Sequence, residues 1–161
     1  MQSHNKEVKI PFISCFLSEL DESDRQLVEL ARQSCETSYA PYSHFSVGAA
    51  IRLEDGTTIQ GSNQENAAFP SGTCAERCAM FYANSMHPRI APMTIAIAAK
   101  NEQGEFTEEP ISPCGACRQV LIESEHRYGK PLRIILSGKS KCYIIDKATH
   151  LLPFAFNAES M

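Results

Sequence analysis

Apolar positions along this chain switch between a helical and a strand-like period. Leu27, Val28, Leu30 and Ala31 recur at helical spacing behind Ser23 and Asp24, either of which can cap a helix. Pro41 closes that region. Residues 47–53 read as a strand, Glu54-Asp55-Gly56-Thr57 as a turn and residues 58–62 as a second strand, which together make a hairpin. Ser71 or Thr73 is the expected cap for a helix from about Cys74 to Ser85. Residues 93–99 are a continuous apolar run of the length of a buried strand. Pro113 then opens a helix from Cys114 to about Glu125. Strands over 132–136 and 142–145 follow, and the chain closes on an apolar tail over 151–156.

The predicted order is helix, hairpin, helix, strand, helix, strand, strand. Buried strands alternating with helices point to an α/β layered domain around a mixed sheet. Residues 1–22 read as an N-terminal extension and 23–161 as one domain. A length of 161 residues encloses a real core without staples.

Composition narrows the choice of class. Apolar residues make up 43% and charged residues 21%, an ordinary globular balance. No run approaches the roughly 18 apolar residues of a membrane helix, so no membrane role is expected. Residues 1–9 are polar and do not read as a secretory signal. The formal net charge is −4 and no Lys/Arg block stands out, which argues against nucleic acid as a partner. Seven cysteines at uneven spacing fit a disulfide framework poorly. They fit a reduced, cytoplasmic protein that uses some thiols for a metal or for catalysis.

Cys114-Gly115-Ala116-Cys117 is a C-x-x-C, which by itself reads as a redox pair, half of a zinc site or chance. Its setting sharpens it. Both cysteines begin a predicted helix, where free N–H groups and the positive dipole end stabilise thiolates. Cys74 also begins a predicted helix, and zinc takes thiolate sulfur readily. A structural zinc site would add Cys78 as a fourth thiolate. A catalytic one would use Cys74, Cys114 and Cys117 and leave the fourth position to water. Cys78 lies about 6 Å along the helix from Cys74 and is expected to face the core. Glu76, two residues past a ligand, is expected to move protons; acids also favour first helical turns for electrostatic reasons alone. Arg77 is expected to donate to the sulfurs and restore the Lewis acidity that three thiolates blunt.

Cys74-Ala75-Glu76 followed by Pro113-Cys114-Gly115-Ala116-Cys117 resembles the zinc-dependent cytidine deaminases. Cys74 in the first ligand position, in place of His, is similar to the small homotetrameric class. Further similarity lies in residues 42–50 (Tyr42-Ser43-His44-Phe45 onward), in Asn63-Gln64-Glu65-Asn66-Ala67, in residues 113–119 and in the tail. The resemblance spans roughly residues 23–160. It departs at the N-terminal extension and at Phe154, where a small residue is expected.

The resemblance implies a three-layer α/β/α sandwich around a roughly five-stranded mixed sheet. It implies zinc as cofactor and hydrolytic deamination of cytidine and deoxycytidine to uridine and deoxyuridine. Asn63 and Glu65 would hold the ribose 3′-hydroxyl. Phe45 would pack near the pyrimidine, and the Ala75 backbone with Glu76 would read its amide edge. Phe156 would stack on the base from a neighbouring subunit of a homotetramer, and Phe69 would also approach the subunit boundary. Three alternatives stay open: a deaminase of a related nucleoside such as blasticidin S, a structural four-cysteine zinc protein, and a C-x-x-C oxidoreductase.

Overall fold

The computed structural model describes residues 5–161. Among these, six strands form one sheet in the order β1-β6-β5-β4-β2-β3. The strands are β1 (Ile13–Phe16), β2 (Ser46–Leu53), β3 (Thr58–Ser62), β4 (Pro92–Lys100), β5 (Arg133–Ser137) and β6 (Lys141–Ile145). The helices are α1 (Glu22–Ser34), α2 (Ala75–Met86) and α3 (Gly115–Tyr128). β4 and β5 pair in parallel and the other neighbours are antiparallel, so the sheet is mixed. The five expected strands are present, and β1 is a sixth. It comes from within the N-terminal 22 residues and pairs with β6, Cys15 opposite Cys142. Leu20, also in that stretch, is buried in the core. Ile13, Ser14 and Phe16 are exposed, so no buried face gave β1 a readable period.

Side-chain size divides the two faces of the sheet. β2 and β4 turn Ala49, Ile51, Ile95 and Ile97 toward Met80 of α2 and Leu121 and Ile122 of α3. They turn Ala50, Ala96 and Ala98 toward Leu27, Val28 and Ala31 of α1. The small residues let α1 lie close. A Cβ on Gly48 would come within 2.0 Å of the Ala31 carbonyl oxygen. α2 is also seated closely on β3, where a Cβ on Gly61 would lie 2.6 Å from the Ala79 nitrogen.

Helix ends differ in detail from the expectation. Asp21, not Ser23 or Asp24, caps α1 by accepting from the Asp24 amide at 2.8 Å. Asp24 is buried and its carboxylate pairs with Arg52 of β2 and Arg133 of β5, so it ties helix to sheet. α3 continues past Glu125 to Tyr128 and stops at Gly129, whose φ of 62° suits a glycine C-cap.

β3 and β4 are both antiparallel to β2, so they run in the same direction. Each leads through a loop into a helix on the same face. The N-termini of α2 and α3 therefore emerge together beyond the carboxyl ends of these strands, where open α/β sheets bind ligands.

Candidate active site

Cys74 is the N-cap residue of α2, and Cys114 holds the same position ahead of α3. Neither Ser71 nor Thr73 caps α2: Ser71 ends a 3-10 turn over residues 69–71, and the Thr73 backbone pairs with that of Gln64. Cys117 is buried in the first turn of α3. The three sulfurs lie within 4.8 Å of one another. Cys74 Sγ is 3.8 Å from Cys114 Sγ, which is 3.5 Å from Cys117 Sγ. Four ligands at about 2.3 Å around a tetrahedral zinc stand about 3.8 Å apart, so this donor set fits zinc and leaves a fourth position open. Cys78 stands outside the cluster. It is half-buried and lines a separate groove with Gln60, Gly61 and Ser62, rather than facing the core as expected.

The surroundings divide the charge. Hydrogen bonding from the Cys117 thiol, aided by Arg77 and Cys114, holds Cys74 down to about 5. Arg77 Nη2 donates to Cys74 Sγ at 3.6 Å, which is the contact expected of it. Cys117 is pushed up, chiefly because its proton is shared with Cys74 and then by burial. Glu76 is 3% exposed. Burial raises its carboxyl above the usual range and the negative Cys74 adds to this. Its own backbone N–H and the Cys117 thiol partly offset the rise. A shielded carboxyl whose proton affinity is raised, beside a metal-type donor set, is suited to acid–base work.

A cleft of about 470 Å³ opens onto Cys74 and Arg77, within the usual size of a small-molecule site. Asn63, Glu65 and Phe69 line it, as do Tyr42 and Asn66, which the sequence had placed in similar segments without a role. Asn63 Oδ1 accepts from Ser38 Oγ at 2.6 Å and from the Val47 amide at 2.8 Å, and Nδ2 donates to the Phe45 carbonyl at 2.9 Å. One amide hydrogen remains for a ligand. Glu65 Oε2 accepts from the Tyr42 and Ser43 amides at 2.9 and 3.3 Å, bringing residues 42–43 to the cleft. The Ser43 hydroxyl, foremost, and these amides hold its carboxyl below the ordinary range. Phe45 is half-buried just before β2 and does not line the cleft. Phe156 is 62% exposed and does not line it either. Gln119 holds the tail by donating to the Phe156 carbonyl at 2.7 Å, and Arg118 does so by donating to that of Leu151 at 3.0 Å.

Three helices around a mixed sheet, with three thiols and a buried carboxyl at two converging helix starts, define a zinc-dependent deaminase architecture. The chain belongs to the cytidine and deoxycytidylate deaminase family, whose zinc-binding region matches residues 21–128. A cytidine deaminase of Halalkalibacterium halodurans is 42% identical over 86% of this chain and 98% of its own. One from Sporosarcina psychrophila is 45% identical over 84% and 93%. The crystal structure of a cytidine deaminase from Burkholderia pseudomallei superposes with a TM-score of 0.66 at 40% identity. It covers 81% of this chain and 97% of that one.

Proposed function

We propose that this enzyme deaminates cytidine and deoxycytidine by hydrolysis, giving uridine or deoxyuridine and ammonia. The observation that carries this reading is the three-sulfur cluster with Glu76 buried beside it, whose Cys74 opens onto a nucleoside-sized cleft. Cys74, Cys114 and Cys117 would hold zinc, which would supply the Lewis acidity that makes water nucleophilic at neutral pH. Glu76 takes one proton from the attacking water and passes it to N3 of the base, then takes the second from the hydroxyl added at C4 and passes it to the departing amino group. The Ala75 N–H, at the start of α2, meets the base's amide edge. Arg77 draws charge from Cys74 through its hydrogen bond.

Asn63 has one amide hydrogen left to donate and Glu65 is an acceptor, a pair suited to a sugar hydroxyl that both accepts and donates. Among the residues lining the cleft Arg77 is the cation, and its guanidinium is turned to sulfur, while Glu65 is an anion. A phosphate would find a single cation there, already donating to sulfur, with the Glu65 anion also lining the cleft, which favours the nucleoside over its monophosphate as substrate. Phe69, Phe154 and Phe156 are well exposed, which supports a homotetramer in which Phe156 reaches a neighbouring cleft and stacks on the base. Seven free thiols support a cytoplasmic location.

Loss of cytosine absorbance and release of ammonia, followed with zinc-loaded protein, test the reading. Cytidine and deoxycytidine turn over, and their monophosphates, free cytosine and blasticidin S do not. Glu76→Gln keeps zinc and loses at least about a hundredfold in kcat. Full activity in that variant refutes the proton role, and preferred turnover of a monophosphate refutes the substrate assignment.

A further inference from the structure

Cys15 and Cys142 face each other directly across the β1–β6 ladder. Both lie on the face of the sheet that α1 covers; Cys142 is a core residue there and Cys15 packs at the rim. The Leu17 amide donates to the Ser140 carbonyl at 2.8 Å. Residues 17 and 140 are thus a hydrogen-bonded pair, and by the alternation of an antiparallel ladder so are 15 and 142. The Cα atoms of such a pair stand about 5.5 Å apart, inside the roughly 4.4–6.8 Å span of a disulfide. Their Cβ atoms stand up to about 5.5 Å apart and a disulfide needs about 3.8 Å, so the strands must close by up to about 1.7 Å. β1 is the element that can yield. It is four residues long, pairs on one side and ends the sheet. Neither thiol takes part in the metal cluster, and β1 precedes the family's matched region, which begins at residue 21.

We propose that Cys15 and Cys142 form a redox cross-linking site, at which a low-molecular-weight disulfide such as oxidised glutathione converts the two thiols into an intramolecular disulfide. The Cys15 thiolate attacks one sulfur of the reagent, forming a mixed disulfide and expelling one reagent thiolate. Cys142 then loses its proton and attacks the Cys15 sulfur, expelling the second. The protein gives up two electrons and two protons, and the reagent leaves as two thiols. Burial pushes Cys15 up and Cys142 up to about 11, so the exchange is slow and starts at the more accessible Cys15. The product fastens the N-terminal strand covalently to β6 across a long loop of chain. It constrains the unfolded state most where the closed loop is longest.

The test uses zinc-loaded, full-length protein incubated with oxidised glutathione, then alkylated, digested and mapped by mass spectrometry. The expected product is a peptide pair joined through Cys15 and Cys142, two hydrogens lighter than the reduced pair and recovered as free thiols after dithiothreitol. The oxidised protein melts several degrees above the reduced one. Cys15→Ser, a change at the half-buried edge, abolishes both the cross-link and the rise in Tm. Glutathione remaining on Cys15 as a mixed disulfide overturns the proposal, as does Cys15 pairing with another cysteine such as Cys35, or a Tm rise that persists in Cys15→Ser.

Discussion

Replacing Gly61 by Ala tests whether the seat of α2 on β3 sets the geometry of the metal cluster. The added Cβ would lie 2.6 Å from the Ala79 nitrogen and 2.9 Å from the Ala75 carbonyl oxygen, both backbone atoms of α2. Backbone cannot rotate out of the way, so ordinary contact returns only if the helix lifts by roughly 0.8 Å. Overpacking of this kind costs about 1–3 kcal/mol. Cys74 moves with the helix because it is the cap of that same first turn, whereas Cys114 rides on α3. A shift of this size along the line of the sulfurs would carry their 3.8 Å separation well off the tetrahedral edge. Zinc affinity is then expected to fall about tenfold or more. Competition against a chelator with a zinc dye measures the affinity, and thermal melting of the zinc-loaded protein measures the stability. Gly115→Ala is the control: it lies between the two thiols of α3, yet a Cβ there meets nothing within 4 Å. Wild-type zinc affinity and Tm in Gly61→Ala would refute the reasoning, as would an equal loss in Gly115→Ala.

The separate groove that holds Cys78 predicts that Cys78→Ser keeps one zinc per chain while Cys74→Ser loses it, read by elemental analysis after dialysis. Glu125 accepts from the amides of Leu132, Ala148 and Thr149 at 2.8, 2.8 and 3.1 Å, and so joins α3 to β5 and to the turn after β6. Glu125→Ala leaves three amides without their acceptor and lowers stability by roughly 3–5 kcal/mol in urea unfolding. Glu125→Gln keeps one acceptor oxygen and loses roughly half of that.

The strands that alternate or run apolar were legible because burial imposed a period on them. Ile51, Ile95 and Ile97 face one layer while Ala50, Ala96 and Ala98 face the other, and both sets are apolar, which marks a strand covered on two sides. β1 had no such imprint. Its exposed residues owe their conformation to the ladder with β6, and a tertiary partner leaves no local period. The caps failed for a related reason. Asp24 has the chemistry of a cap, but two arginines from the sheet claim its carboxylate, and Asp21 takes the role. Which of several acids near a helix start does the capping depends on what lies opposite each, and that is a property of the packed state.

At the site, local chemistry and global placement separate more sharply. That Cys74, Cys114 and Cys117 would occupy helix starts was readable, because Pro113 and the onset of helical spacing mark them. Their convergence was not contained in the spacing, since 38 residues separate Cys74 from Pro113. It follows from topology: β3 and β4 run the same way, and both following helices return over one face. Cys78 was rightly kept out of the cluster but wrongly sent to the core. One turn beyond Cys74 it does leave the metal side, yet this flank of α2 is not covered and lines a groove with Gln60, Gly61 and Ser62. Asn63 carries the same lesson for ligand contacts. Its amide was read as a sugar-binding group, and three of its four hydrogen-bonding positions are spent holding residues 38, 45 and 47. A side chain so fixed offers its last hydrogen in one direction only, which makes it a more selective reader of a hydroxyl than a free loop amide would be.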